Sequence, residues 1–211
     1  YTSLYHPLSS WHHDRMIRKY TYHMLFICTF CALTACQTTA YQQNFPTMTF
    51  KYLPAIKLMV SDIKLISNVK LSFDAPHVAY KLPVSPEKAI IRWAKDRLSI
   101  AGNKNTAQMI IIRADAQEIN LDLDKSLLGI LKNQQSHRFE TFIEARLEIL
   151  DEKNIRRAFV TGKAQQSITV SEATSLSDRR KIWYNLVEKL MAEFNLIMQK
   201  NVDQKLQNYL F

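Results

Sequence analysis

His77 and His137 lie far apart in this 211-residue chain, and neither an H-E-x-x-H segment nor a cysteine pair accompanies them. The ligand spacing of a zinc site is therefore missing. His6, His12 and His13 cluster near the start, again without ligand spacing. Gly102, Gly129 and Gly162 are the only glycines, too few to build a phosphate-cradling loop, and no G-x-S-x-G segment exists. Asp122 and Asp124, and Glu144 and Glu148, alternate along strand-like stretches that place them toward solvent, with no nucleophile beside them. His137, next to Arg138, reads as a loop residue and not as a general base. These residues predict a chain that is not an enzyme and holds neither metal nor cofactor. The one side chain left with chemistry in prospect is the Cys36 thiol.

Its surroundings give that thiol a meaning. Arg18 and Lys19 follow Met16, an apolar run extends from Met24 to Leu33, and the small residues Thr34 and Ala35 precede Cys36. A positive segment, a core of about ten apolar residues and a small-residue cleavage site make a secretory signal peptide. The run is shorter than the roughly 20 residues that a membrane-spanning helix requires. Residues 16–35 are therefore expected to be a signal, and residues 1–15 an unstructured upstream extension.

Leu33-Thr34-Ala35-Cys36 resembles the lipobox of bacterial lipoproteins. The resemblance implies that Cys36 receives a covalent diacylglycerol on its sulfur and becomes an acylated N-terminus. One acyl chain binds a membrane only marginally, whereas two or more anchor it stably. Gln37 is not aspartate, which in this family implies sorting to the outer membrane, with the domain facing the periplasm. A plain cleaved signal, or an uncleaved anchor in which Cys36 is a small buried hydrophobe, are the alternatives.

A chain beginning at Cys36 keeps 25 of the 28 basic and 18 of the 19 acidic side chains, because residues 1–35 hold Arg15, Arg18, Lys19 and Asp14; its net charge is +7. Cys28 and Cys31 are lost with the signal, so no disulfide can form and the fold rests on its hydrophobic core. In an exported protein, positive charge points away from nucleic acid. It points toward anionic lipid or an acidic envelope partner.

The remaining pattern is that of one α+β domain. Residues 36–55 are polar and proline-punctuated, as expected of a flexible tether, and the domain is expected over 56–211. "AIKLMVSDIKLIS" reads as a strand with a bulge near Ser61 and Asp62. Ser85 as N-cap, Pro86 at the first helical position and Gly102 as the stop mark a helix. Three strands follow. The first places Ile110, Ile112 and Ala114 on one side. The second alternates strictly from Phe139 to Ile149, and residues 151–154 turn it into the third as a hairpin.

A final helix of about 30 residues opens at Ser175, with Asp178 in capping-box spacing. Its apolar stripe is Trp183, Val187, Leu190, Phe194, Ile197 and Met198, and its roughly 45 Å length predicts last turns projecting beyond the sheet. The order β-α-β-β-β-α predicts a four-stranded, mainly antiparallel sheet with both helices on one face. Trp93 and Trp183 are expected in the core, close to each other. This layout is similar to small envelope lipoproteins, such as one that plugs an outer-membrane barrel in lipopolysaccharide assembly and the auxiliary lipoproteins of lipid transport.

Two segments are candidate contact sites. Leu127, Leu128, Ile130 and Leu131 flank Gly129 in a polar stretch, either as a turn packed on the sheet or as an exposed contact for a partner. Arg179, Arg180 and Lys181 occupy the first helical turn, where the dipole disfavours positive charge; they read either as solvated side chains partly offset by Asp178 or as a contact for an anionic headgroup or phosphate. Arg156 and Arg157 could extend that patch. A non-catalytic membrane-anchored protein that binds a partner in envelope assembly, transport or secretion is the first functional expectation, a lipid or small-ligand carrier the second, and a tethered periplasmic enzyme the third.

Overall fold

A computed structural model describes residues 44–121 and 135–211. The expected signal, Leu33 to Cys36, and the Leu127, Leu128, Ile130 and Leu131 segment lie outside the described residues. The elements are β1 (Ile56–Leu58), β2 (Asp62–Ser67), α1 (Pro86–Arg97), β3 (Leu98–Ile100), β4 (Thr106–Asn120), β5 (Gln135–Leu150), β6 (Arg156–Ser171) and α2 (Leu176–Lys205). Among the described residues no helix is long and apolar enough to cross a membrane.

The main sheet has the order β2-β4-β5-β6. It is mixed, which corrects the expectation of a mainly antiparallel sheet: β2 runs parallel to β4, and β4–β5 and β5–β6 are antiparallel. The cause is the helix between β2 and β4. A crossover helix returns the chain to the same end of the sheet, so the next strand starts in the same direction. The expected first strand is also two strands. Its break at Met59–Ser61 is no bulge but a change of sheet, because β1 pairs with β3 in a separate two-stranded sheet. Ser61 seals the crossing by donating its backbone N–H to the Lys104 and Asn105 carbonyls and its hydroxyl to the Asn105 carbonyl at 2.7 Å.

α1 begins as its residues dictate. The Ser85 side chain accepts the Lys88 N–H, and Pro86 fills the first turn. It ends five residues before Gly102, because Leu98–Ile100 extend to pair with β1. Gly102 has a different role from the expected stop. A Cβ there would stand 2.6 Å from the Met59 carbonyl carbon, so glycine permits two backbones to touch.

β5 buries Phe139, Thr141, Ile143, Ala145, Leu147 and Ile149, as its alternation predicts. In β4 the buried set is Ala107, Met109, Ile111, Ala114 and Ala116. Ile110 and Ile112 are therefore not on the core side. The extra residue at Ile112 shifts the register between Ile111 and Arg113 and brings Ala114 inward. In the β5–β6 hairpin, Asp151 Oδ1 accepts the Lys153 and Ile155 N–H groups, and Asn154 takes a positive φ of 59°.

Both helices cover the face formed by the odd residues of β5. Phe194 of α2 lies over Gly162 of β6 and meets Trp93 of α1 edge-on at 5.2 Å. Trp183 meets Phe139 of β5 at 5.2 Å instead of its fellow tryptophan; positions 183 and 194 are about 16 Å apart along a helix. The last turns of α2 do not project. Met198, Val202 and Leu206 are fully buried, because the strands beneath run to 15 and 16 residues, about 50 Å, and outrun the helix. The chain then returns to β1, where the Met59 N–H donates to the Tyr209 carbonyl and the Phe211 N–H to the Lys57 carbonyl.

The described part of the expected tether, residues 44–55, is packed on the domain. Met48 and Phe50 are buried, Phe45 stacks on Tyr184 at 5.3 Å, and the Tyr184 hydroxyl donates to the Pro46 carbonyl. Apolar residues every two or three positions had enough area to hold a polar-looking segment down.

Candidate functional site

The three cations of the first α2 turn go three ways. The Arg179 guanidinium is partly buried, 3.6 Å from Glu118 Oε1 and 5.9 Å from the Phe139 ring centroid. Arg180 lies over the Phe45 ring. Lys181 is exposed and reaches Asp178 at 3.6 Å. Arg156 and Arg157 do not join them. Arg156 donates to Glu148 at 2.9 Å and Arg157 to Asp151 at 2.8 Å, whereas Arg179 sits by Phe139. Glu148 and Phe139 are nine residues apart on β5, about 30 Å along a strand.

The titratable side chains that could do chemistry are likewise engaged by neighbours. His77 Nδ1 lies 3.0 Å from both carboxylate oxygens of Asp115, which also accepts the Gln117 side-chain amide. His137 Nδ1 lies 3.1 Å from Asn120 Oδ1 and 3.3 Å from Glu118. Glu144 pairs with Lys163 at 3.0 Å. Among the described residues, no three His, Cys, Asp or Glu side chains gather as a metal-ligand set.

What the fold does assemble is a groove along one edge of the sheet. Among the described residues β6 pairs only with β5, so its far side is an edge there. Thr141 Oγ1 of β5 donates to the Gln166 carbonyl at 3.2 Å. That carbonyl therefore faces β5, and in an antiparallel ladder the backbone groups of the odd-numbered neighbours face away. The Thr161 carbonyl confirms this by accepting from Asn201 Nδ2 of α2 at 2.9 Å. Beyond Thr161, no hydrogen bond among the described residues closes the outward backbone groups of Lys163, Gln165, Ser167 and Thr169. All four residues are exposed.

Beside this edge lies a cavity of about 400 Å³, lined by Gln166, Ser167 and Ile168 of β6 and by Ile182, Asn185, Leu186, Glu188 and Lys189 of α2. Ile168, Ile182 and Leu186 supply apolar surface, and Asn185, Glu188 and Lys189 a polar rim. Gln166 donates its amide to Glu193 at 2.7 Å, tying helix to strand next to the opening. A separate cavity of about 440 Å³ is lined by Lys163 and Gln165 of β6 together with Arg113 and Phe142, where Arg113 stacks on Phe142 at 3.9 Å. On α2, burial and then the Glu188 charge raise the Tyr184 hydroxyl above its usual pKa, so it stays the donor to the Pro46 carbonyl.

The reading of the sequence missed this site, although one signal was present. "KAQQSITV" alternates polar residues on one side and belongs to the last strand of the chain, which has a single sequential neighbour.

No family model matches the chain, and no curated protein matches it. The crystal structure of a minor lipoprotein from Acinetobacter baumannii is similar over 70% of this chain and 96% of that one, at 10% identity and a TM-score of 0.37. The functional reading rests on the chain's own residues.

Proposed function

We propose that this chain is a non-catalytic lipoprotein, anchored through acylated Cys36 in the outer membrane, whose periplasmic α+β domain binds a protein partner of the cell envelope. The groove between β6 and α2 carries the binding part of this reading: it combines apolar surface, a polar rim and unpaired backbone groups in one place. The signal-like run and Leu33-Thr34-Ala35-Cys36 support the anchor. A positive net charge supports an acidic partner or anionic lipid and argues against a role with nucleic acid in that compartment. The second reading, a carrier with its ligand between helices and sheet, has less behind it, because Trp93, Phe139, Trp183 and Phe194 fill that space.

A photo-crosslinking residue at Asn185 tests the partner. In intact envelopes it is expected to give a discrete adduct that the same residue at Glu152, in the hairpin turn, does not give. Identical patterns at both positions would remove the groove as the binding site.

A further inference from the structure

Resting on that reading of the groove, we propose that its occupant is an extended peptide segment of the partner, added to the sheet as a fifth strand along Lys163–Thr169 of β6. The outward N–H and C=O groups of Lys163, Gln165, Ser167 and Thr169 recur every second residue, about 6.8 Å apart. That is the repeat of an extended backbone, and main-chain pairing with alternate side chains in pockets is how edge strands take up peptides.

The side chains fit such an occupant. One side of an added strand faces Ile168, Ile182 and Leu186, and its other side faces solvent. An acyl chain could not satisfy the backbone groups. The edge carries few of the devices that keep edges apart: β6 contains no proline, and Lys163 is its one charged side chain between Thr161 and Thr169. A second copy of the chain is the other possible strand donor. Two copies bring like net charge together, +7 each for a chain that begins at Cys36, whereas a partner of negative charge is drawn in.

The probe is a phage-displayed pool of random twelve-residue peptides, panned against the full chain in detergent. Enriched peptides are expected to carry apolar residues at alternate positions. On their addition, amide exchange read by NMR is expected to slow at Lys163, Gln165, Ser167 and Thr169, and not at Gln166 and Ile168, which β5 already protects. Ser167→Pro removes one outward N–H without touching the β5 ladder and is expected to weaken binding about tenfold. Ser167→Ala keeps the backbone and is expected to bind as the parent does.

Full affinity in Ser167→Pro, no enriched peptide, or no slowing at the four amides would overturn the proposal. If Ser167→Pro loses its fold, the exchange pattern of the parent chain decides alone. A dimer lost in Ser167→Pro would assign the edge to a second copy and also overturn it. Peptides lost on Ile182→Glu but not on Ser167→Pro would keep the groove as a partner site and remove only the added strand.

Discussion

Asn195 of α2 accepts the indole N–H of Trp93 of α1 at 2.9 Å, across 102 residues of sequence. The same Oδ1 accepts Arg97 Nε at 3.2 Å, and Arg97 also donates to Gln199 Oε1. Trp93 is 0% and Arg97 2% exposed, so a single amide oxygen serves two buried donors. Burial lowers the pKa of the Arg97 guanidinium, and the Asp203 charge partly offsets this.

Asn195→Ala should therefore cost more than a surface change. Two buried donors lose their acceptor, at about 1–3 kcal/mol, and each kcal/mol lowers Tm by roughly 2–4 °C in a domain of this size. Asn195→Asp keeps the acceptor and adds a charge toward Arg97, so its loss should be smaller. Thermal melts followed by circular dichroism check the order; equal melting of Asn195→Ala and the parent would show the link to be idle.

The two described glycines should fail differently. At Gly162 a new Cβ would stand 2.8 Å from Phe194 Cε2 and 3.3 Å from Met198 Cε, both side-chain atoms. Overpacking of this kind costs about 1–3 kcal/mol, and Phe194→Leu should recover part of it in the double variant. At Gly102 the obstacle is the backbone of Met59 and Val60, at 2.6 and 2.8 Å, which cannot turn aside. Gly102→Ala should be the more damaging of the two in urea denaturation, and a negligible change there would contradict the close approach.

Local features were legible in the sequence, and features that depend on distant partners were not. The start of α1 needs only Ser85, Pro86 and the Lys88 N–H, all within one turn, and it was read correctly. Its end depends on β1, some forty residues earlier, whose pairing with Leu98–Ile100 overrides helical preference. The face of β5 followed from unbroken alternation, whereas the inserted Ile112 inverted the phase read for β4. The groove was hidden for a related reason. Its wall and floor come from β6 and α2, and only packing shows which side of each remains uncovered.

Asp96 ties the leading segment to α1, accepting the Thr49 hydroxyl and the Phe50 N–H, each at 2.9 Å. Burial on its own would raise its pKa, but the Phe50 and Thr49 bonds together with the Arg92 and Lys51 charges hold it below the ordinary 3.8. Asp151 is lowered as well, first by the Ile155 N–H and also by Arg157 and Lys153. Depressed carboxyls stabilise the fold fully above the unfolded value, and that stability is lost as pH falls through the lower folded value. Tm should hold near neutral pH and decline below about pH 4. Asp96→Asn should start lower and decline less steeply on acidification; a parallel acid limb would show that Asp96 contributes nothing to it.

If Cys36 carries the proposed anchor, Cys36→Ser separates that anchor from the domain. Serine cannot accept a thioether-linked diacylglycerol, so labelled palmitate incorporated by the parent should be absent from the variant, which should wash from membranes with salt instead of requiring detergent. The fold should be indifferent. Among the described residues the packing starts with Phe45 on Tyr184 and with buried Met48 and Phe50, all beyond the cysteine, so the melting temperature should match that of the parent. Seven residues lie between Cys36 and Asn44, eight Cα steps that reach at most roughly 29 Å even fully extended. An anchored domain is thus confined near the bilayer, while the variant is free to diffuse. Crosslinks from Asn185 to a membrane-bound partner should fall in Cys36→Ser because the local concentration falls, although the groove itself is intact. Undiminished palmitate labelling would remove Cys36 as the acylated residue, whatever the groove binds.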